Sequence, residues 1–268
     1  MDPTTFANDQ PKQLLDAQAH ICNHILCFLH SMTLKCAIEL GIPDAIQKHG
    51  TPITLSELAT ALNIHPTKAS SLNRLMRMLV YSKFFSKKKL GSGEVVFDLN
   101  LNSKLLLKDH PLSLAPFALA TLDPTMIDPA HHITEWLKNE SKSPFHIAHG
   151  RSIWEHAGST TKFNKYFNQA MASDARFVAS LLTSNNESKD IFKGIVSLID
   201  VGGGDGTTAK AIAEAFPEMK LTVLDLPHVV DGLQGNGLNL VYVRGDMFEA
   251  IPPAQAVLLK AAKESNVT

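Results

Sequence analysis

Residues 195–206 read IVSLIDVGGGDG, and residues 207–216 continue as TTAKAIAEAF. The first seven positions form a short apolar run, which is typical of a strand that is buried on both faces. Glycine occupies four of the next five positions, and a helical pattern follows. Glycines let a ligand approach the backbone, and the N-terminus of a helix offers free N–H groups. The stretch therefore predicts a strand, a turn and a helix, with a ligand bound at the turn.

Three further apolar runs follow in the same part of the chain. They are KLTVLDLP at 220–227, LNLVYVRGDMF at 238–248 and AQAVLLK at 254–260. Helical or loop segments lie between them. This alternation is typical of a parallel sheet with helices on its faces. We therefore predict the α/β fold class, with a Rossmann-like domain at residues 191–268.

Acidic residues at the strand ends indicate which ligand the turn binds. Asp225 ends the second strand, where a carboxylate suits the two hydroxyls of a ribose. Asp246 ends the third strand, where an acid accepts from an adenine amino group, and Met247 beside it packs on the ring. Asp200 precedes the glycines, and its charge suits a sulfonium and an amino group better than a pyrophosphate. This set of acids favours S-adenosylmethionine.

Two alternatives stay open on these residues alone. The dinucleotide fingerprint GxGxxG is not met from Gly202, but the frame Gly204, Gly206, Ala209 satisfies its GxGxxA form, so NAD remains a candidate cofactor. The plainer alternative is that Asp225 and Asp246 only cap the segments that follow them.

The first part of the chain reads as helices and one hairpin. Residues 11 to about 49 have a helical pattern that Gly41 and Pro43 interrupt. Thr54 is placed to cap a second helix, and Thr67 and Ser70 to open a third. The segment 87–99, KKKLGSGEVVFDL, is typical of a hairpin with glycines at its tip. Together these elements predict a winged-helix domain at 1–110, followed by a helical region at 111–190 that ends in a long amphipathic helix.

Composition narrows the possible partners and the compartment. The chain has 268 residues and a formal net charge of −1, which argues against electrostatic capture of nucleic acid or a membrane surface. Its three cysteines, Cys22, Cys27 and Cys36, are odd in number and form no CxxC, so we expect reduced thiols and a cytoplasmic location. The N-terminus lacks the pattern of a signal peptide, and the apolar patch ICNHILCFL at 21–29 is too short to span a bilayer.

Four motifs resemble the plant small-molecule O-methyltransferases, and most closely the legume isoflavonoid and phenolic branch. They are FNQAMASDAR at 167–176, DVGGGDGTTAKAI at 200–212, LDLPHVV at 224–230 and GDMFEAIPPAQAVLLK at 245–260. The resemblance implies a metal-independent transfer from S-adenosylmethionine to a phenol, in a homodimer built on the N-terminal domain. It implies that the cofactor site includes Gly202, Asp225, Leu226, Asp246, Met247 and Lys260. It further implies that a helix bordering the substrate carries Phe163, Phe167, Met171 and Asp174, although amphipathic packing explains that pattern nearly as well.

The sequence lacks the histidine that serves the family as general base, and it also lacks the tryptophan that follows that histidine in the family. In the family, a histidine stands four residues after the lysine that closes the fourth strand and removes the proton of the phenol. Here that lysine is Lys260, and Glu264 occupies the position of the histidine. The remaining strands of the family's sheet would lie beyond residue 268. We therefore expect a truncated or alternatively spliced form that is catalytically impaired.

Other functions stay open as alternatives. The chain could be a non-catalytic dimerisation partner of full-length relatives. The winged helix could instead bind DNA, since residues 51–100 carry a net charge of +4. His20, His24 and Cys27 share a helical face with metal-ligand spacing, but we expect a dimer contact there, because no fourth ligand is evident.

Overall fold

The computed structural model describes residues 11–184 and 190–260 of the chain. The chain forms two compact units, Met1–Gly150 and Arg151–Thr268, and the finer domain limits given above remain a prediction. The first unit begins with helix α1, Pro11–Leu40, and helix α2, Ile42–His49, follows it. Gly41 stands between them at φ 71°, a left-handed conformation that suits glycine. The predicted break in this helical segment is therefore confirmed.

A winged helix follows α2. It comprises β1 (Ile53–Thr54), α3 (Leu55–Ala61), α4 (Ala69–Tyr81), β2 (Phe85–Lys89) and β3 (Val95–Leu99). The strands form an antiparallel sheet in the order β1-β3-β2. The helices and the sheet enclose a core of fully buried apolar side chains, among them Ile42, Ile53, Leu58, Met76 and Leu79. The predicted winged helix is confirmed.

Of the two helix starts predicted in this domain, the one at Thr54 is confirmed and the one at Thr67 is wrong. Thr54 caps α3 in a capping box: its side chain accepts from the Glu57 N–H at 3.2 Å, and the Glu57 carboxylate accepts from the Thr54 N–H at 2.9 Å. The start predicted at Thr67 is wrong by two residues. Pro66–Lys68 forms a 3₁₀ turn, in which the His65 ring accepts from the Thr67 N–H, and α4 begins only after it.

Short helices complete the first unit. They are α5 (Leu101–Lys104), α6 (Ala115–Thr121), α7 (Pro124–Ile127), α8 (Ile133–Trp136) and α9 (Pro144–His149), with a 3₁₀ segment at Asp128–His132. Prolines occupy the first turns of α6, α7 and α9, where their missing N–H costs no hydrogen bond.

Helix α1 exposes most of its apolar side chains. The exposed large apolar side chains are Leu14, Leu15, Ile21, Ile25, Leu26, Phe28, Leu29 and Leu40. The sequence led us to expect an apolar segment too short to span a bilayer, but the continuous helix is long and apolar enough to do so by length and composition. One such helix near an N-terminus is weak evidence for a membrane span, because an apolar helix that packs against protein passes the same test.

The second unit carries the predicted parallel sheet. Two helices come first, α10 (Ile153–Ser159) and α11 (Thr161–Ser184). The strands are β4 (Ser197–Val201), β5 (Lys220–Asp225), β6 (Leu240–Arg244) and β7 (Ala256–Leu259), all parallel in the order β6-β5-β4-β7. The helix Thr207–Ala215 follows β4, and a short helix, Pro227–Val230, follows β5. The carboxyl ends of all four strands therefore meet at one edge of the sheet, where ligands bind in folds of this class.

The two faces of this sheet are covered unequally. On one face, Leu198, Val223 and Leu240 pack with the helix Thr207–Ala215 and with Leu182 of α11. On the other face, Ile199, Val201 and Leu224 form a smaller buried cluster. Val257 and Leu259 of β7 lie beside that cluster with 51% and 61% of their surface exposed.

Candidate cofactor site

The glycine-rich loop turns sharply at the end of β4. Gly202, Gly204 and Gly206 have φ values of 69°, 60° and 74°, a region that side chains with a Cβ rarely adopt. The Gly202 N–H donates to the Leu224 carbonyl at 2.8 Å, which holds the start of the loop against β5. The predicted strand, turn and helix are all present, and the glycines are where the backbone conformation requires them.

Glycine is also required where neighbouring groups approach the loop. A Cβ on Gly203 would stand 2.8 Å from the Asp200 carboxyl group and 2.9 Å from a Val223 methyl group, closer than real Cβ contacts. On Gly206 it would collide with the Tyr242 hydroxyl group, which donates to the Asp205 carbonyl at 2.8 Å. The loop is therefore packed closely against its own sheet.

Asp225, at the end of β5, fixes the loop directly. One carboxylate oxygen accepts from the Gly204 N–H at 2.8 Å, and the other accepts from the Leu226 N–H at 2.7 Å. Each oxygen retains a second lone pair for another donor. The acid therefore holds the loop in place, as the capping alternative expected, and it also keeps capacity for a hydroxyl group of a ligand.

The end of β6 supplies Asp246 and Met247. Asp246 accepts from the Phe248 N–H at 2.9 Å and lies in the turn after the strand. The Met247 Cε atom lies 3.5 Å from where a Cβ on Gly202 would stand, and the side chain packs on the cluster of Ile199, Val201 and Leu224. The structure thus brings Gly202 and Met247 together, as the sequence predicted, and gives Asp246 a capping bond as well.

Asp200 is the most perturbed acid of the site. Only 3% of the residue is exposed, and burial raises the pKa of its carboxyl group to about 6. The positive charge of Lys260 opposes this increase, and the negative charge of Asp225 adds to it. Perturbed acids of this kind cluster at functional sites. The sequence placed Asp200 near the ligand, but only its burial identifies it as the group that titrates near neutral pH.

Lys260 closes β7 and forms an ion pair with Asp174 of α11. The Lys260 Nζ atom lies 2.6 Å from Asp174 Oδ2, and both side chains are less than a third exposed. Lys260 also lies near enough to Asp200 to affect its pKa. The structure therefore unites one predicted cofactor residue with one predicted substrate-side residue at the edge of the sheet where the glycine loop lies.

The other predicted residues of α11 belong to an aromatic face. The rings of Phe163 and Phe167 stack with centroids 5.8 Å apart, and Trp154 of α10 meets Phe167 edge-on at 5.9 Å. The His156 ring meets Phe163 at 5.0 Å. Met171 is half-buried one turn further along α11. Trp154 and His156 were missed because they lie on a separate helix whose packing the sequence pattern of α11 does not reveal.

Two other sequence hypotheses concern residues elsewhere. Glu264, at the expected position of the base, lies outside the described residues. The rings of His20 and His24 contact each other at 4.6 Å on α1. Among residues 11–184 and 190–260, no group of three or more histidine, cysteine or acidic side chains is arranged to hold a metal ion.

Comparisons with known proteins identify the family. One family model, described as an O-methyltransferase dimerisation domain, matches residues 22–109, and another, described as an O-methyltransferase domain, matches residues 130–263. A trans-resveratrol di-O-methyltransferase of Vitis vinifera is 52% identical over 92% of this chain and 69% of its own length. A flavonoid 8-O-methyltransferase of Ocimum basilicum is 51% identical over 96% of this chain and 71% of its own length.

Solved structures share the fold. CalO1, a methyltransferase of calicheamicin biosynthesis solved in an SAH-bound form, matches with a TM-score of 0.72 at 20% identity, over 93% of this chain and 71% of its own. The mitomycin 7-O-methyltransferase MmcR matches with a TM-score of 0.64 at 26% identity, over 94% and 73% of the two chains. The family models span both units and the relatives are about half identical to this chain. The chain therefore belongs to the S-adenosylmethionine-dependent O-methyltransferases, with a dimerisation domain followed by a methyltransferase domain.

Proposed function

We propose that this protein serves O-methylation of a phenolic substrate of the flavonoid type, with S-adenosylmethionine as its cofactor. The observation that carries the proposal is the arrangement of Asp200, Asp225 and Asp246 at three neighbouring strand ends around the glycine loop. NAD is the weaker alternative, because the buried Asp200 lies against Gly203, where a pyrophosphate would approach the loop.

The residues present fit this cofactor. Gly203 and Gly206 let the loop pack closely on its own sheet, and a Cβ on Gly204 would meet nothing within 4 Å, so the space beside Gly204 is open to a ligand. Asp225 retains lone pairs for the ribose hydroxyl groups, and Asp246 with Met247 suits an adenine ring. Lys260 and Asp174 offer one charge of each sign to the amino-acid end. Asp225, Asp246, Met247 and Lys260 belong to the cofactor set that the resemblance implies, which also contains Gly202 and Leu226. Asp174 belongs to the substrate-side set that it implies.

The chemistry asked of the protein is modest. When bound, S-adenosylmethionine supplies an activated methyl group, so that positioning of the acceptor is the main requirement. The aromatic face of Phe163, Phe167 and Met171 is suited to hold a flat phenol by stacking. A phenol has a pKa of about 10, so its proton must be removed by a base. The pKa of that base should be closer to the pKa of the phenol than the pKa of an exposed carboxylate is.

We therefore propose that the 268-residue chain is catalytically impaired. Glu264 stands where the family resemblance places the histidine, and a glutamate with a pKa near ~4 is a poor base for a phenol. Removing a general base lowers the rate by about 10²–10⁴-fold. A chain of this kind would still bind cofactor and pair with another member of the family.

The substrate and the assembly follow from the family. The named relatives act on resveratrol and on flavonoids, so we propose a phenol of this size, with isoflavones as the finer prediction. The dimerisation domain and the exposed apolar side chains of α1 support a homodimer or a heterodimer with a full-length relative. The winged helix lies inside the dimerisation domain, which favours pairing with another protein chain over binding of DNA. The free cysteines support the proposed cytoplasmic location.

Isothermal titration and a radiolabelled transfer assay test this proposal. The chain is titrated with S-adenosylmethionine and with NAD, and then assayed with resveratrol, a flavonoid and an isoflavone beside the Vitis vinifera relative. We expect binding of S-adenosylmethionine alone and a turnover at least about 10²-fold below that of the relative. Preference for NAD would refute the cofactor assignment, and turnover equal to that of the relative would refute the impairment.

A further inference from the structure

The ion pair between Asp174 and Lys260 differs from another close ion pair among the described residues of the same unit. Arg244 and Asp231 also approach closely, at 2.7 Å, but 64% and 63% of those two side chains are exposed. In the first pair the exposed fractions are 23% for Lys260 and 29% for Asp174, at a separation of 2.6 Å. Partial burial strengthens the attraction between charges and makes an unpaired charge costly. An unpaired charge therefore costs more in the first pair than in the second.

The surroundings of this pair are polar and face the edge where the strands end. Asp200 and Lys260 follow the same face of the sheet, because Leu258 lies beside Asp200 and Lys260 is two residues further along β7. Ser173, next to Asp174 on α11, is fully buried, and its hydroxyl group makes no hydrogen bond to any described residue. A purely structural salt bridge would not explain why the Ser173 hydroxyl group lacks a partner or why the buried acid Asp200 lies near Lys260.

We propose that Asp174 is a positioning residue for the amino-acid end of the cofactor, and that its ion pair with Lys260 is exchanged on binding. The inference rests on the proposed cofactor site. An amino-acid end carries one carboxylate and one ammonium group. Lys260 then pairs with the carboxylate and Asp174 accepts from the ammonium group. Because each half-buried charge leaves one partner and gains another, the exchange avoids an unpaired charge.

The competing explanation is a structural one. The pair could serve only to tie the end of β7 to α11, in which case its loss would affect every ligand of the site equally. The two explanations differ in their dependence on the amino-acid end. S-adenosylhomocysteine has this end, whereas 5′-methylthioadenosine keeps the adenosine and lacks it.

The experiment compares these two ligands by isothermal titration with the full chain. The variants are Asp174→Asn, Lys260→Gln and the double variant, and the matched control is Asp231→Asn, which breaks the exposed pair. For Asp174→Asn we expect S-adenosylhomocysteine to bind about tenfold more weakly, equivalent to about 1.4 kcal/mol. Binding of 5′-methylthioadenosine should change by less than about twofold, and the control should change neither. Because the two residues hold different groups of the ligand, the double variant should lose more than either single variant.

Three outcomes would overturn the inference about Asp174. A fourth would show instead that the proposed cofactor site is wrong. Equal weakening of both ligands would make the pair a structural tie, and no weakening of S-adenosylhomocysteine would remove Asp174 from the site. Equal effects in the Asp231→Asn control would show that the loss is not local. If the unmodified chain binds neither ligand, the proposed cofactor site itself fails. If Asp174→Asn does not fold, Asp174→Glu takes its place, with the same selectivity expected at about threefold.

Discussion

Strands β4 and β7 lie side by side, and both have apolar sequences, yet only one of them is enclosed. Ile199 and Val257 are paired in register across the two strands and point to the same face. Ile199 is fully buried, whereas 51% of Val257 is exposed. β4 has a strand on each side, while β7 has a described partner on one side only. An apolar run thus identifies a strand, but its neighbours decide how much of it is buried.

The paired positions predict the largest difference in stability. Ile199→Ala removes side-chain volume from an enclosed cluster and should lower the free energy of unfolding by about 2–5 kcal/mol. Val257→Ala, at the position beside it, should lower it by less than about 1 kcal/mol, because water already reaches that side chain. Urea denaturation followed by circular dichroism measures both, and equal losses would contradict the comparison.

A substitution at Asp200, the residue after Ile199 on β4, should raise the free energy of unfolding instead of lowering it. Burial raises the pKa of Asp200 to about 6 from 3.8, so this acid disfavours the folded state increasingly as the pH rises through its folded pKa. Asp200→Asn should therefore stabilise the ligand-free protein by about 1–3 kcal/mol at pH 8, with the lost attraction to Lys260 reducing the gain.

The pH dependence is the control for Asp200. Near pH 4 the wild-type acid is protonated in the folded state, so the advantage of the variant should fall to nearly zero. Thermal unfolding at several pH values measures this change. An advantage that is the same at pH 4 and pH 8 would show that charge on Asp200 is not its cause.

A helix cap in the first unit should have an intermediate effect on stability. Thr54→Ala removes the side-chain half of the capping box on α3 and should cost about 1 kcal/mol. The control is Thr60→Ala on the same helix, since the Thr60 hydroxyl group donates to the Ser56 carbonyl one turn back and caps no helix end. If Thr60→Ala costs as much as Thr54→Ala in urea denaturation, the capping interpretation is wrong.

The smallest effect on stability is expected at the exposed strand. Val257→Thr keeps a β-branched side chain at a half-exposed position, so the free energy of unfolding should change by less than about 0.5 kcal/mol. Its effect should appear in self-association, because exposed apolar edge strands pair with other chains. Light scattering should detect fewer large species than in wild type, with Val229→Thr, an exposed valine on the short helix after β5, as the matched control.

The sequence predicted the elements of this fold well, for physical reasons that act locally. Periodicity and glycines identified α11, the hairpin and all four parallel strands, because these signals lie within a few residues of each other. The start of α4 was predicted too early. The His65 ring accepts a hydrogen bond from the Thr67 N–H, Pro66–Lys68 forms a 3₁₀ turn, and α4 begins after it. The apolar length of α1 was underestimated because the patch at residues 21–29 was considered without its helical flanks.

The candidate site was predictable only in part. The positions of Gly202, Asp225 and Met247 follow from strand ends and glycine spacing, which the sequence shows. The bonds of Asp225 to Gly204 and Leu226, and the pair of Asp174 with Lys260, depend on three-dimensional packing between distant segments. The burial that shifts the pKa of Asp200 is likewise a property of the assembled sheet.

Because Trp154 contacts Phe167 edge-on, the fluorescence of Trp154 should be sensitive to a ligand that binds at the aromatic face. The chain has two tryptophans, and the other, Trp136, lies in the first unit with its indole N–H bonded to the Ser141 carbonyl at 2.8 Å. Replacing Trp136 with phenylalanine would leave a single indole fluorophore on the aromatic face of α11. The emission of that variant would then follow the arrival of a phenol at this face in real time, without a label and without turnover.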